Sequence, residues 1–373
     1  MVDIVPIDVE EQKNSPSEGY FNNQQHADML QSLQTTTNKE KEKQYKKVKK
    51  LTTTLHEKTD TINKNNLLEY HKTPGLNINE LHKKGITGKN VHIAIIDQTP
   101  LLDHEEYAQN IVEYTEGYTY HKKPQMHGVG ASSIAVGKKT GVAPEAKLHY
   151  FSGRYSKTLK EKILGTRPTS MNNFAEMIEK IREKNKTLQP EEKIRAISIS
   201  YGIVKGMPGY NKCMKAIKKA EEEGIYVAYI DDSDDFAGIS KAPDTDPNSI
   251  LSYIEPIDKE IEEKKKELKN IDKKSIERIK HRILIPKNAK TLASEKGKDE
   301  YTFDPTGGSS WTMPYIVGLY ALCCQIQPKI NKKIFLDALR KTAYKKNIEN
   351  IVSVNIVNPV KLIEYLQTNP IIS

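Results

Sequence analysis

Ser310 sits in Gly308-Ser309-Ser310-Trp311-Thr312-Met313-Pro314, directly ahead of the apolar run from Tyr315 to Ile326. A hydroxyl in that setting is placed to act as a nucleophile. Glycine and serine let the backbone turn sharply, and the positive start of the helix predicted behind them favours an oxyanion alongside. Pro314 fits this reading, because proline is tolerated in the first turn of a helix. Two other positions draw attention for their surroundings. Asp97 ends Val91-His92-Ile93-Ala94-Ile95-Ile96, a β-rich run of the kind buried in a parallel sheet. The carboxyl ends of such strands are where open α/β sheets place their chemistry. His127 opens His127-Gly128-Val129-Gly130-Ala131-Ser132-Ser133-Ile134-Ala135-Val136-Gly137, whose small residues let a helix pack close to a neighbour.

These stretches resemble the subtilisin-like serine proteases (subtilases). The serine motif is similar to Gly-Thr-Ser-x-Ala-x-Pro, with Ser310 on the nucleophile, Ser309 in place of threonine and Thr312 in place of alanine. The aspartate strand carries the family's Gly-x-Asn-Val lead-in, but continues Asp97-Gln98-Thr99 where the family has Asp-Ser/Thr-Gly. His104-Glu105-Glu106-Tyr107 matches a His-Pro-Asp/Glu-aromatic element. The histidine helix resembles His-Gly-Thr-His-Val-Ala-Ser-Ile-Ile-Ala-Gly, with Gly130 replacing the second histidine. Gly141-Val142-Ala143-Pro144-Glu145-Ala146-Lys147-Leu148 follows the family's Gly-Val-Ala-Pro-x-Ala-x-Leu. Asp97 alone would read as a loop aspartate capping a helix; the accompanying motifs reverse that reading.

The resemblance implies an α/β fold, a three-layer sandwich with a mostly parallel central sheet flanked by helices. It also implies a triad of Asp97, His127 and Ser310, in the order the family uses. His127 would take the proton of Ser310 during attack on a peptide carbonyl, and Asp97 would hold the imidazole tautomer. Ile194-Arg195-Ala196-Ile197-Ser198-Ile199-Ser200-Tyr201-Gly202 resembles the strand that pairs with extended substrate, which would put Ser200, Tyr201 and Gly202 along the cleft. The family's oxyanion asparagine is missing. Depending on how the strand Gly224-Ile225-Tyr226-Val227-Ala228-Tyr229-Ile230 is counted, Ser233 or Asp232 takes its place. A serine hydroxyl donates a hydrogen bond, whereas an ionised aspartate repels the developing charge. Removing one oxyanion donor from subtilisin itself slows the reaction about 10²–10³-fold. The second functional reading is therefore a pseudoprotease that keeps the fold and binds extended peptides without cutting them.

The elements that must position these residues span most of the 373-residue chain. Residues 1–66 are polar, with Asn22-Asn23-Gln24-Gln25 and Thr35-Thr36-Thr37, and read as a solvated arm or an inhibitory extension. Residues 67–373 form the catalytic domain of this reading. Within it Asn172 to Glu183, Tyr210 to Glu223 and Lys332 to Thr342 carry helical periodicity. Ile283-Leu284-Ile285-Pro286 resembles the strand before the nucleophile, and Val357-Asn358-Pro359-Val360-Lys361-Leu362-Ile363 the closing helix. A Lys/Glu-rich helical insertion at about 257–282 lies outside the family pattern and is the stretch available for a partner contact.

Charged residues make up 29% of the chain, the net charge is +9 and the mean hydropathy is -0.66. The lysines are interleaved with glutamates and lack interleaved aromatics, which argues against nucleic acid and for solvated helix faces. Cys213, Cys323 and Cys324 offer neither a disulfide framework nor metal spacing. No signal peptide or apolar span is evident, so the expectation is a cytoplasmic protein away from the membrane, acting on a peptide or protein substrate. No metal and no cofactor are predicted; calcium is left open, with no clear site to support it. The short link Val136-Gly137-Lys138-Lys139-Thr140 lacks the loop that carries calcium in many secreted subtilases. The acidic run Asp231-Asp232-Ser233-Asp234-Asp235 reads as a solvated loop rather than a cation site.

Overall fold

The computed structural model describes residues 64–119, 122–164, 169–230, 235–254, 257, 273–348 and 352–371. Most of the N-terminal arm, residues 258–272 of the Lys/Glu segment, and both Asp232 and Ser233 lie outside the described residues. The chain runs α1 (Lys64–Tyr70), α2 (Ile78–Lys83), β1 (His92–Asp97), β2 (Ile111–Thr115), α3 (Met126–Val136), β3 (Lys147–Ser152) and α4 (Leu159–Leu164). It continues α5 (Asn172–Thr187), β4 (Ile194–Gly202), α6 (Tyr210–Glu222), β5 (Tyr226–Ile230), β6 (Phe236–Ile239), α7 (Lys273–His281) and β7 (Ile283–Pro286). The last part is β8 (Lys290–Ala293), β9 (Tyr301–Asp304), α8 (Thr312–Ile326), α9 (Lys332–Thr342), β10 (Tyr344–Ile348), β11 (Val352–Ile356) and α10 (Pro359–Thr368).

β1 is the middle strand of a five-stranded parallel sheet ordered β2-β3-β1-β4-β5. Its composition accounts for that place. Ile93 and Ile95 project to one face, Ala94 and Ile96 to the other, and all four are fully buried. A strand apolar on both faces is stable only with helices over both. α5 and α6 cover one face through Phe174, Met177, Ile178, Ile181, Cys213 and Ile217. α3 and α8 cover the other, packing on Ile93, Ile95, Leu148 and Tyr150. α8 is buried from Thr312 to Cys324, as its unbroken apolar character requires. This is the expected α/β architecture, a mostly parallel central sheet between helices.

The other strands do not extend that ladder. β6, β7, β11 and β10 make a second, four-stranded sheet in which β7 pairs in parallel with both β6 and β11. β10 joins antiparallel to β11, and β8–β9 is an antiparallel hairpin. The hairpin leads into the Ser310 turn. All three cysteines are buried and free, and burial pushes the Cys213 thiol up to about 12. No helix among the described residues is long and apolar enough to cross a membrane.

Candidate active site

Asp97 is the last residue of β1, fully buried at the carboxyl edge of the sheet. Its Oδ1 accepts the backbone N–H of Gln98 at 2.7 Å and the Nδ1–H of His127 at 2.7 Å. A nitrogen facing an ionised carboxylate carries the proton, so in the neutral ring Nε2 is the basic atom. Tyr150 of β3 and Tyr201 of β4 stand around this carboxylate. Burial raises both phenols well above their ordinary range, and the Asp97 charge raises them further.

His127 occupies the first turn of α3 and is 4% exposed. The helix start is tied to the loop after β1 by the Gln125 N–H donating to the Thr99 carbonyl, 2.9 Å. The next residue must be glycine. A Cβ on Gly128 would lie 2.2 Å from the Gln98 carbonyl oxygen and 2.5 Å from the Tyr150 hydroxyl, which itself donates to that carbonyl. The helix can therefore bring its imidazole onto Asp97 only because Gly128 has no side chain. At the far end of α3, Glu106 is buried and accepts the N–H groups of Lys139 and Thr140 at 2.9 and 3.0 Å, besides the Tyr301 hydroxyl at 2.9 Å. The match of His104 to Tyr107 with the family element thus corresponds to a support for the histidine helix. His104 donates from Nε2 to the Glu300 carbonyl at 2.8 Å.

Ser310 is half-buried in a 3₁₀ turn, Ser309–Trp311, that runs straight into α8 with Pro314 in its first turn. Asp304, at the end of β9, builds this turn. One of its oxygens accepts the N–H groups of Gly307 (2.7 Å) and Thr306 (3.2 Å), and the other accepts the Trp311 indole N–H (2.7 Å). Burial pushes the Asp304 carboxyl up, and these donors pull it back. Gly307 adopts φ 63, and a Cβ there would sit 1.8 Å from the Lys287 carbonyl oxygen. Asn288 pins the opposite side: it accepts the Lys241 N–H and donates to the Lys241 and Pro305 carbonyls, each at 2.9 Å.

The serine turn meets the histidine through Trp311. The indole stacks on the imidazole with centroids 4.7 Å apart and planes 21° from parallel. Sequence reasoning missed this contact, and Asp304 with it. The available signals were the single tryptophan of the chain, next to the serine, and the glycine at the family's second histidine position. A Cβ on Gly130 would lie 2.9 Å from the indole ring, so the missing side chain is what admits Trp311.

Ser200, Tyr201 and Gly202, the residues expected along the cleft, end β4 beside Asp97. Ser200 and Tyr201 are buried. The Tyr201 ring lies 6.1 Å from that of His127 and packs on Tyr155 and Phe174, while the Tyr155 hydroxyl donates to the Gly202 carbonyl. Tyr201 is thus part of the floor under the imidazole. Two lysines near the serine turn are also buried: burial lowers Lys241 to about 7 and Lys290, beside Asp304, to about 8. No group of His, Cys, Asp and Glu that could hold a metal ion occurs among the described residues.

No protein-family model matches the sequence, and no curated protein matches it. The structure resembles that of the prenylagaramide maturation protease PagA, with TM-score 0.52 and 16% identity over 78% of this chain and 98% of that one. It also resembles the subtilase cytotoxin SubAB, with TM-score 0.53 and 13% identity over 80% and 96% of the two chains. A third is the PatG macrocyclase domain, with TM-score 0.52 and 14% identity over 78% and 96%. At such identities the likeness is one of fold, and the fold is the subtilisin-like α/β sandwich.

Proposed function

We propose that the protein is a serine endopeptidase that cleaves peptide bonds through an acyl-enzyme. The observation that carries this is the buried 2.7 Å hydrogen bond from His127 Nδ1 to Asp97, on an imidazole packed against the residue that follows Ser310. In this reading the Ser310 Oγ attacks the scissile carbonyl carbon while Nε2 of His127 takes its proton. The resulting oxyanion lies beside the Ser310 backbone N–H at the head of α8, with the Ser233 hydroxyl, or Asp232 in its protonated form, as the second contact. Collapse of the tetrahedral intermediate breaks the C–N bond, and His127 returns the proton to the leaving amine. Water then repeats the sequence on the ester. Asp97 stays ionised throughout and stabilises the imidazolium by its charge and its hydrogen bond.

Peptide binding without cleavage is the second reading, favoured by Gln98, Gly130 and the missing oxyanion asparagine. The PatG macrocyclase, similar in fold at TM-score 0.51 and 14% identity, has been solved with a peptide, which supports an extended peptide as the ligand class on either reading. A fluorophosphonate probe separates the two. It is expected to label the wild-type protein and not Ser310→Ala; a folded wild type that takes no label and turns over no peptide would leave only the binding function.

A further inference from the structure

The catalytic imidazole has an unusual neighbour. Asp97 holds one edge of His127, and the flat face of the ring is covered by Trp311, which is 1% exposed. Trp311 cannot drift: its indole N–H is bound to Asp304, whose second oxygen is held by the N–H groups of Gly307 and Thr306. Gly130 leaves the space the ring fills. The contact thus draws on three elements, α3, β9 and the turn before α8.

We propose that Trp311, anchored by Asp304, is a positioning residue for His127 that fixes the ring plane and favours its protonated form. The electrostatics follow from the stacking. An aromatic face carries negative quadrupole density and attracts a cation, most strongly for indole and more when water is excluded. A carboxylate on the indole N–H pushes electron density towards the ring, strengthening that attraction. Proton transfer from Ser310 makes His127 cationic, so the stack gains energy as charge develops. Among the described residues, Asp97 of β1 bonds the imidazole, the Tyr201 ring of β4 lies 6.1 Å from it, and Tyr150 of β3 stands by Asp97; Asp304 and, beside it, Lys290 of β8 act through the indole. Among the described residues, Asp97 places its carboxylate on the imidazole and Asp304 places its own on the indole. This inference rests on the proposed use of His127 as the base, but its test needs no substrate.

The chain contains one tryptophan, so its emission comes from the residue in question. A protonated imidazole stacked on indole quenches it. Indole emission of the full chain is expected to drop as His127 protonates, with the midpoint that ¹³C-labelled histidine NMR gives for His127. That step is expected to vanish in His127→Gln, whereas a step due to Asp304 would remain there and vanish in Asp304→Asn. In Trp311→Leu the NMR midpoint of His127 is expected to fall by about 0.5–1 pH unit, and Trp311→Phe to restore most of the loss. A midpoint unchanged in a folded Trp311→Leu protein would overturn the proposal. If that variant fails to fold, wild-type emission that ignores the protonation of His127 overturns it equally. An absence of fluorophosphonate labelling with the titration shift intact would remove the peptidase reading and leave the stack standing.

Discussion

Asp97 reaches His127 through one oxygen of a fully buried carboxylate, so its charge acts with little screening. Asp97→Asn keeps the volume but puts an amide where the imidazole needs an acceptor. In serine proteases the corresponding change costs about 10⁴ in kcat, and a loss of that order is expected here, measured on any peptide the wild type turns over. Gly128→Ala tests the approach of the helix. Alanine improves helix propensity by about 1 kcal/mol, but its Cβ would meet the Gln98 carbonyl at 2.2 Å, and backbone cannot swing aside as a side-chain tip can. The steric cost wins, and a net loss of about 1–3 kcal/mol is expected in urea unfolding, with catalysis falling further because the imidazole is displaced. The turn at Ser310 and the helix behind it were legible in the sequence, because a sharp turn needs small residues and an unbroken apolar run needs burial. The role of Trp311 was not: nothing within a few residues of it says which ring it will cover.

At the scale of elements, the site depends on how closely α3 and α8 lie together. Gly318 lies midway along α8, where a Cβ would come within 2.7 Å of the Val142 Cβ and 3.1 Å of the Ala135 carbonyl oxygen. Both obstacles belong to short, stiff groups. Gly318→Ala is expected to cost about 1–3 kcal/mol against a propensity gain of about 1, read as a lower urea midpoint with an unchanged m value. The helices and strands themselves were readable from period and length. β1 and β4 were apparent as apolar runs, and α5, α6 and α9 from their one apolar face. The division of the later strands between two sheets was not, since β6 and β7 are four residues each and carry no mark of which edge they will join. The placing of Tyr201 under the imidazole escaped for the same reason. Alternation along β4 tells which residues share a face, whereas what covers that face is set by α5.

For the whole molecule, buried basic groups tie stability to pH. Burial lowers His71 and His92 to about 4, and it also lowers His149 in the chain from His92 through His149 to Glu113. The unfolded chain then binds more protons than the folded one, so stability falls as pH drops from about 6.5 towards 4. Lys241 and Lys290, lowered to about 7 and about 8, act in the same sense at higher pH, adding stability as pH rises towards about 10. The Tm is therefore expected to be higher at pH 8.5 than at pH 5.5, and Lys290→Met to flatten the alkaline part of the curve. We further propose that residues 1–66 are not inhibitory, in which case their removal leaves peptide turnover unchanged; a rise would mark them as inhibitory. The sequence by itself determined the chain order of Asp97, His127 and Ser310, the small residues that let the chain turn beside them, and the apolar runs of the central sheet. Those are local requirements of turn geometry and of burial on one face or two. The tertiary structure decided what stands over His127. Gly130 lies far along the chain from Asp304 and Trp311, and the fit of an indole into the space that glycine leaves is a property of packing in three dimensions.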